Sequence, residues 1–173
     1  MNRVSFSIEK LPPLFADFDG EKLVRLEFAR WLKTSDGLRF GAKCGKISDL
    51  SDIQKFPPYA KRLVEQLKEY VVGRRKVFDI ELSLRGTDFQ LAVWKLLAEI
   101  PYGRTCAYSE LAADLGSPKA ARAVAMAAHR NPICIIIPCH RLIGKSGALV
   151  GYASGVDIKK RLLEIESPQS ALL

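Results

Sequence analysis

Three residues at one point of the sequence combine the groups that a nucleophilic reaction needs. Cys139, His140 and Arg141 follow directly on Ile133–Pro138, the longest apolar run in the chain. A thiol is a poor nucleophile and a thiolate a good one, so an imidazole that takes the proton of Cys139 would activate it. The apolar run predicts a buried strand, on which neighbouring side chains point to opposite faces. His140 would then reach Cys139 only through a bridging water or a sharp turn at Pro138, with a carboxylate orienting its other nitrogen.

Other interpretations of the same residues stay open. A single buried cysteine is most often a small apolar side chain, and His140 and Arg141 would then be a structural histidine and a surface cation. A cysteine hydrolase would need an oxyanion hole and a substrate cleft besides the nucleophile. The sequence holds only two histidines, His129 and His140, and no Cys-x-x-Cys spacing, so it predicts neither a metal site nor a cofactor.

The composition narrows the class of protein. The chain has 173 residues, of which 48% are hydrophobic, enough for one ordinary domain or two small ones and too many for a disordered protein. No apolar run approaches the roughly 20 residues that span a bilayer, and no secretory signal is visible. Four cysteines do not make a disulfide scaffold, so Cys44, Cys106 and Cys134 are interpreted as structural or incidental. The composition therefore predicts a cytoplasmic protein that makes no contact with a membrane.

The net charge leaves two interpretations. Lys and Arg number 27 against 19 Asp and Glu, which gives a formal net charge of +8. Such an excess favours a polyanionic partner such as nucleic acid, because neutralised phosphates release their counterions. A basic protein that is merely soluble would carry the same charge.

The first half of the chain predicts strands followed by one helix, a small α+β domain over residues 1–84. Apolar alternation and turn signals divide it into short elements. The predicted strands are Val4–Ile8, Leu23–Leu32, Gly37–Ala42 (paired with the preceding strand across a turn at Ser35, Asp36 and Gly37) and Val77–Leu82, with a helix over Tyr59–Val72. The strands predict a small antiparallel sheet.

The second half, residues 85–173, predicts a mainly α domain. Thr87 and Gln90 form a capping-box pattern that begins one helix. Ser109 is predicted to cap a short helix over Glu110–Leu115, and Ser117 to cap an Ala-rich helix that continues to about Ala128. Two short helices joined by a glycine-containing turn indicate a helix-turn-helix element.

The Ala-rich helix has two interpretations. Its small side chains would allow close approach to a nucleic-acid duplex, and Lys119, Arg122 and Arg130 supply cations for phosphates or for a gap in the base stack. The same alanines would also suit tight helix–helix packing in a core.

Three longer strings of the second half resemble one known family. SPKAARAVAMAAHRNP (117–132), IIIPCHRLIG (135–144) and VGYASGVDIKKRLLEIE (150–166) are similar, in order and spacing, to the O6-alkylguanine-DNA alkyltransferase family. The similarity extends from about Thr87 to Glu166, whereas the first half matches only in length and element layout. The resemblance implies a ribonuclease H-like N-terminal domain and a winged-helix-like C-terminal domain.

The resemblance also implies roles for individual residues. Cys139 stands at the position of the alkyl acceptor, His140 would be its base through a water, and Glu166 would orient that histidine. Asn131 would stabilise the turn that carries the cysteine, and Tyr108 would donate a proton toward N3 of the departing guanine.

Further positions match the family's DNA-binding and base-binding segments. Arg122 would fill the base stack after the damaged nucleotide has been flipped out. The other DNA-binding residues implied are Ser117, Lys119, Ala121, Ala123 and Arg130. The residues implied for the base pocket are Tyr108, Leu142, Tyr152, Ala153 and Ser154.

The implied function is DNA repair by direct reversal of damage. The alkyl group of O6-alkylguanine, and more weakly of O4-alkylthymine, would pass irreversibly to Cys139 of a monomer acting on double-stranded DNA, in the cytoplasm or at a prokaryotic nucleoid. Relatives that lack the cysteine bind lesions without catalysis, which is the alternative function. Some relatives hold zinc in the N-terminal domain, but this chain has only Cys44 there and no histidine before His129, so no such metal is expected.

Overall fold

The computed structural model describes residues 1–29, 31–34, 37–40 and 52–167. The chain divides into two compact units, Met1–Ser83 and Leu84–Leu173. The described residues form a mixed α/β fold with a three-stranded antiparallel sheet, two smaller two-stranded sheets and five α-helices. Among these helices, none is both long enough and apolar enough to cross a bilayer.

The first unit is built on an antiparallel sheet with the order β1-β2-β3. Its strands are β1 (Asn2–Phe6), β2 (Leu14–Asp19) and β3 (Lys22–Phe28), and a separate hairpin pairs β4 (Trp31–Thr34) with β5 (Gly37–Phe40). Gly20 begins the two-residue turn between β2 and β3 with φ +60°, a conformation that glycine adopts without steric cost.

The strand prediction for this unit was partly wrong. The central strand β2 was missed because Leu14–Phe18 is buried throughout, and a strand covered on both faces shows no polar alternation. The predicted strand Leu23–Leu32 is two strands, β3 and β4, and β4 rather than β3 pairs with β5. Ser35 and Asp36 of the predicted turn lie outside the described residues, as does Cys44.

The described part of this unit has one α-helix, α1 (Pro58–Val71). It agrees with the predicted helix within one residue at each end. The predicted strand Val77–Leu82 is absent: the segment makes a single bridge, between Leu82 and Leu23. The reason is the side chain of Gln66, which accepts a hydrogen bond from the Asp79 N–H at 2.9 Å and donates to the Asp79 carbonyl at 3.1 Å. The amide thus occupies backbone groups that a neighbouring strand would need.

A 3₁₀ helix (Asp52–Lys55) also belongs to the first unit, and the second unit contains the elements after α1. They are α2 (Asp88–Glu99), β6 (Cys106–Ala107), α3 (Tyr108–Asp114), α4 (Ala121–His129), a short 3₁₀ helix (Cys139–Arg141), β7 (Leu142–Ile143) and α5 (Val156–Ile165). The predicted capping box at the start of α2 is confirmed, with Thr87 and Gln90 bonded reciprocally. The helix α4 packs against α2 and α3, and the Trp94 indole donates to the Ala127 carbonyl at 2.9 Å.

Both predicted serine caps in this unit were wrong. Ser109 lies inside α3, which begins at Tyr108 because Glu110 accepts a hydrogen bond from the Ala107 N–H at 2.7 Å. Ser117 does not cap α4: it still belongs to the end of α3, where its N–H donates to the Ala112 carbonyl at 2.9 Å. The helix therefore begins only at Ala121, after a turn in which the Ala120 N–H donates to the Ser117 carbonyl.

Candidate active site

The segment that leads to Cys139 is a series of tight turns, so the predicted buried strand was wrong. The Asn131 side chain holds these turns together. Its amide nitrogen donates to the Ile137 carbonyl at 2.7 Å and to Cys139 Sγ at 3.1 Å, and its oxygen accepts from the Ile133 N–H at 3.0 Å. Side-chain hydrogen bonds thus replace those of a neighbouring strand. The turn also bends Ile135 to φ +69°, an unfavourable conformation for a β-branched residue.

After these turns, Cys139 and the next two residues form the 3₁₀ helix, in which all three are buried. Arg141 is therefore not the surface cation considered from the sequence. Its guanidinium donates to the Ile100 carbonyl at 2.5 Å and lies 5.9 Å from the centre of the Tyr102 ring. The interior position of a charged side chain requires a partner of opposite charge.

That partner is Glu166, the residue that follows α5. Its carboxylate accepts two hydrogen bonds from Arg141, at 2.8 and 2.9 Å, and lies 2.8 Å from His140 Nε2. The Gly103 N–H donates to the same carboxylate at 3.1 Å. Gly103 is required there, since with its φ of +72° a Cβ would lie 2.8 Å from the Glu166 carbonyl oxygen. Three chain segments thus meet at one carboxylate.

The network determines the protonation of His140. Burial alone would raise the pKa of Glu166, but the hydrogen bonds and charges of His140 and Arg141 lower it to about 2, so the carboxylate is ionised and only accepts. Burial lowers the pKa of His140, against the opposing effect of Glu166, and the imidazole is neutral at pH 7. A neutral ring that donates from Nε2 carries its free lone pair on Nδ1. Among the described residues, Nδ1 has no hydrogen-bond partner.

Cys139 itself is a thiol at rest. Burial raises its pKa, and this effect exceeds the lowering by the hydrogen bond from Asn131, by a backbone hydrogen bond, by the charge of Lys159 and by the nearby Tyr152 hydroxyl. The thiol needs a base to become a nucleophile. The neighbouring imidazole carries a lone pair on Nδ1 that accepts no hydrogen bond from the described residues.

Cys139 opens onto a cavity of about 300 Å³. Of the residues predicted for the base pocket, Tyr108, Tyr152 and Ala153 line it. Leu142 and Ser154 do not line it, since Leu142 is fully buried in β7 and Ser154 lies in the turn before α5. Sequence reasoning missed the wall formed by α4, whose lining residues are Ala125, Met126, Ala128 and His129. Their spacing of three and four residues was the available signal.

Lys159 is a second residue that sequence reasoning missed. It is fully buried in α5, and its ammonium donates to the Val150 carbonyl at 2.8 Å and to the Gly151 carbonyl at 3.4 Å. Burial lowers its pKa, and the charge of Cys139 opposes this shift. The ammonium also lies 5.7 Å from the centre of the Tyr108 ring. A lysine at a helical position that should face the interior was the only sequence signal.

Tyr108 begins α3, and its hydroxyl donates toward the same two carbonyls, each at 3.3 Å. Burial raises its pKa, and the charge of Cys139 raises it further, so the phenol keeps its proton at neutral pH. Tyr108 and Lys159 together hold the loop that forms one wall of the cavity.

The helix α4 has a packed face and an exposed face. Val124, Ala127 and Ala128 are buried, whereas Arg122 and Ala123 are exposed. The other residues predicted to bind DNA lie on or next to this helix: Ser117, Lys119 and Arg130 are exposed, and Ala121 is half-buried. The buried residues pack as the core interpretation of the alanines predicts, and the exposed residues form a face that is open to solvent.

The remaining cysteines differ from Cys139 in their surroundings. Cys134 is buried and Cys106 half-buried, and both are free thiols. Burial and the nearby Glu110 raise the pKa of Cys106, which makes it a poor nucleophile. In the part of the chain that the structure describes, no three His, Cys, Asp or Glu side chains come together as metal ligands would.

Comparisons with known proteins give a consistent result. The family profile described as 6-O-methylguanine DNA methyltransferase, DNA binding domain, matches residues 88–168. A methylated-DNA–protein-cysteine methyltransferase of Methanosarcina barkeri is 54% identical over 135 residues, which cover 78% of this chain and 84% of that relative. The inducible methylated-DNA–protein-cysteine methyltransferase of Bacillus subtilis is 45% identical over 122 residues, 70% of this chain and 66% of that relative. The crystal structure of Mycobacterium tuberculosis OGT in complex with DNA aligns with a TM-score of 0.78 at 38% identity, over 97% of this chain and 96% of that chain.

Proposed function

Because this chain belongs to the methylated-DNA–protein-cysteine methyltransferase family, we propose that it repairs DNA by moving the alkyl group of O6-alkylguanine onto its own Cys139. The protein is a DNA-binding methyltransferase of the direct-reversal type. The thioether that forms is not hydrolysed under mild conditions, so each molecule acts once.

One observation carries the assignment of the acceptor: Cys139 lines the cavity, and the next residue is a neutral imidazole held by an ionised carboxylate. The cavity is about as large as the smaller ligand pockets of proteins. A base inside a duplex cannot reach such a site, so the damaged nucleotide must be flipped out of the stack.

The chemical step conserves atoms and charge with the residues at hand. The Cys139 proton passes through a bridging water to Nδ1 of His140, and the negative charge of Glu166 stabilises the imidazolium that results. The thiolate attacks the alkyl carbon opposite O6, so the S–C bond forms while the C–O6 bond breaks. Tyr108 donates a proton to N3 of the departing guanine, and the proton on His140 restores the phenol.

The helix α4 is the element proposed to meet DNA. Arg122 is exposed on it and enters the stack in place of the flipped nucleotide, which offsets part of the cost of unstacking. Ala121 and Ala123 permit close approach to the duplex, while Ser117, Lys119 and Arg130 contact phosphates. The elements α3 and α4 correspond to a helix-turn-helix within a winged-helix-like domain, and the first unit to a ribonuclease H-like domain.

Further parts of the proposal concern the substrate and the state of the protein. The protein acts as a monomer in the cytoplasm, or at the nucleoid in a prokaryote, on double-stranded DNA that contains alkylated guanine. O4-alkylthymine reacts more weakly. Sedimentation of the free protein and of its DNA complex tests the monomer.

Intact mass after incubation with an O6-methylguanine oligonucleotide tests the main proposal. We expect a gain of one methyl group, located on Cys139 by peptide mapping, and none in Cys139→Ala, which still binds the lesion. An adduct on Cys134 or Cys106 would contradict the assigned acceptor. Binding without any change of mass would instead support the non-catalytic, lesion-binding alternative.

The role of Arg122 is tested by comparing a duplex substrate with the free base O6-methylguanine, which needs no flipping. We expect Arg122→Ala to slow the duplex reaction by roughly one to three orders of magnitude, with little effect on the free base. Arg122→Lys should restore the rate only in part, because lysine lacks the planar guanidinium. Arg130→Ala is the control for the loss of a phosphate contact. Added salt should slow the parent protein in the same way as this variant. Equal slowing of both substrates by Arg122→Ala would exclude the flipping role.

A further inference from the structure

The cavity beside Cys139 has one wall that is held firmly in place. Tyr108 and Lys159 both donate to the Val150 and Gly151 carbonyls, and Gly151 lines the cavity. Because the ammonium of Lys159 is buried, moving this loop would leave a charge without its acceptors. A larger substrate therefore finds no extra space on the loop side.

Another wall of the cavity is formed by α4, whose backbone is also held in place. The helix packs against α2 and α3, and the Ala127 carbonyl accepts the hydrogen bond of the buried Trp94 indole. The lining residues of this wall are two alanines, Ala125 and Ala128, and two large side chains, Met126 and His129. The cavity is therefore wider beside the two alanines and narrower beside Met126 and His129.

Met126 is the adjustable part of this wall. Its side chain is 55% exposed, so it lies at the mouth of the cavity. Methionine is unbranched and has three rotatable bonds, which makes its position more variable than that of the planar imidazole of His129. A displaced Met126 side chain would move into solvent at little cost.

The geometry of the reaction makes this position important. In an in-line displacement the attacked carbon lies between Cys139 Sγ and O6, so every further atom of the alkyl group must project sideways from that axis. A methyl group has no heavy atom to project, whereas a benzyl group has a whole ring. That ring needs space along a side wall of the cavity, and α4 is the wall on which a side chain can move.

From these observations we infer that Met126 limits the size of the alkyl group that the protein accepts. The inference rests on the proposed function, since it concerns alkyl transfer to Cys139. Small alkyl groups react with Met126 in place, and large ones react only after its side chain has moved to the outside.

The test uses free bases, which avoids any contribution of Met126 to DNA binding. The rate constants for alkylation by O6-methylguanine and O6-benzylguanine are measured by intact mass for the parent protein and for Met126→Ala. Dividing the benzyl-to-methyl ratio of the variant by that of the parent cancels the difference in intrinsic reactivity. We expect this quotient to be roughly tenfold or more, as for other single groups that shape an apolar pocket.

Two control variants accompany the measurement. Met126→Leu conserves most of the volume and should keep the quotient close to one. Val156→Ala removes an exposed apolar side chain that does not line the cavity, and it should have no effect. Thermal unfolding of each variant checks that the fold is retained.

The outcomes separate the inference from the proposed function. No methylated parent protein after incubation with the O6-methylguanine oligonucleotide would mean that the proposed function fails. If the oligonucleotide reacts and neither free base does, the same quotient is measured with O6-methylguanine and O6-benzylguanine placed in oligonucleotides. Normal methylation with a quotient near one for Met126→Ala would overturn the inference alone. Slower reaction of Met126→Ala with duplex DNA, without any change in the quotient, would also overturn it and would make Met126 a DNA contact.

Discussion

Among the described residues, each of the two units buries one carboxylate, and in both cases arginine is a partner. Asp17 in β2 and Glu166 after α5 are each 2% exposed. Asp17 accepts two hydrogen bonds from Arg3, at 2.5 and 2.6 Å, while Arg25 lies 3.9 Å away. The two arginine side chains are 37% and 41% exposed, whereas His140 and Arg141, which surround Glu166, are 0% and 7% exposed.

The difference shows what distinguishes a structural charge from a functional one. Arg3 on β1 and Arg25 on β3 are the residues paired with Asp17 in the sheet, and water reaches both of their side chains. If Asp17 lost its charge, solvent would stabilise the arginines in its place. Glu166 stabilises a guanidinium and an imidazole that are almost entirely buried, and it opposes the lowering of the His140 pKa by burial. We expect changes at the second carboxylate to have larger effects and to alter the chemistry as well.

The largest difference is expected between Glu166→Gln and Asp17→Asn. Removing one partner of a buried charge pair costs about 3–5 kcal/mol of unfolding free energy, so Glu166→Gln should approach that loss. Asp17→Asn should lose about 1–2 kcal/mol, because the exposed arginines remain solvated. Glu166→Gln should also slow alkyl transfer, more at neutral than at high pH, while Asp17→Asn keeps the parent rate. Denaturant unfolding and single-turnover rates measure both; equal losses in the two variants would contradict the comparison.

The pH dependence of the unfolding free energy, measured for the parent protein and both variants, tests the same difference between Glu166 and Asp17. The pKa of Glu166 is about 2 in the folded protein, below its ordinary value of 4.5. The ionised carboxylate therefore stabilises the fold fully above about pH 4.5, and this contribution decreases as the pH falls toward 2. A shift of this size corresponds to about 3 kcal/mol. We expect Glu166→Gln to remove this part of the acid dependence and Asp17→Asn to retain it.

A smaller effect is expected at the backbone that positions Glu166. Gly103→Ala and Gly116→Ala form a matched pair, since their φ angles are +72° and +69° and both would cost about 1–2 kcal/mol for a left-handed alanine. Only at Gly103 would the new Cβ meet the Glu166 carbonyl, at 2.8 Å. Gly103→Ala should therefore be the less stable variant by a further 1–2 kcal/mol or so, and it alone should slow transfer. Identical unfolding and transfer rates would show that Glu166 does not depend on Gly103.

The smallest effect is expected for the other buried charge of the second unit. Lys159→Met keeps an apolar stem of similar length but removes the charge that lowers the pKa of Cys139. We expect transfer at neutral pH to slow by about tenfold, the equivalent of one pKa unit, and to recover as the pH rises. Lys160→Met is the control, because that lysine is exposed and pairs only weakly with Glu164 at 3.8 Å. An equal decrease in both variants would exclude a specific role for Lys159.

The sequence predicted best where the signal is local. The capping box at Thr87 and the helix α1 were recognisable because capping and apolar periodicity depend on residues at most a few positions apart. The Cys139-His140 pair and the strings around it identified the family for the same reason. The roles of the individual site residues remain predictions until the experiments above are done.

Sequence patterns failed where another group competes for the same backbone atoms. Gln66 occupies the amide and carbonyl of Asp79, and the predicted strand Val77–Leu82 does not form. Asn131 does the same for the turns before Cys139, and the N–H of Ser117 is used by the end of α3. A pattern of residue types does not reveal which of several acceptors a backbone N–H will find.

By itself, the sequence determined the family and most of the helices, and it predicted the nucleophile with its neighbouring histidine, because each depends on residues close together in the chain. Only the tertiary structure decided that Arg141 and Lys159 are buried, that Met126 faces the cavity, and that Glu166 meets partners 25 to 63 positions away. The physical reason is desolvation. A charge has its ordinary pKa and little structural effect in water, and it acquires both a shifted pKa and a fixed partner only when folding removes the water around it.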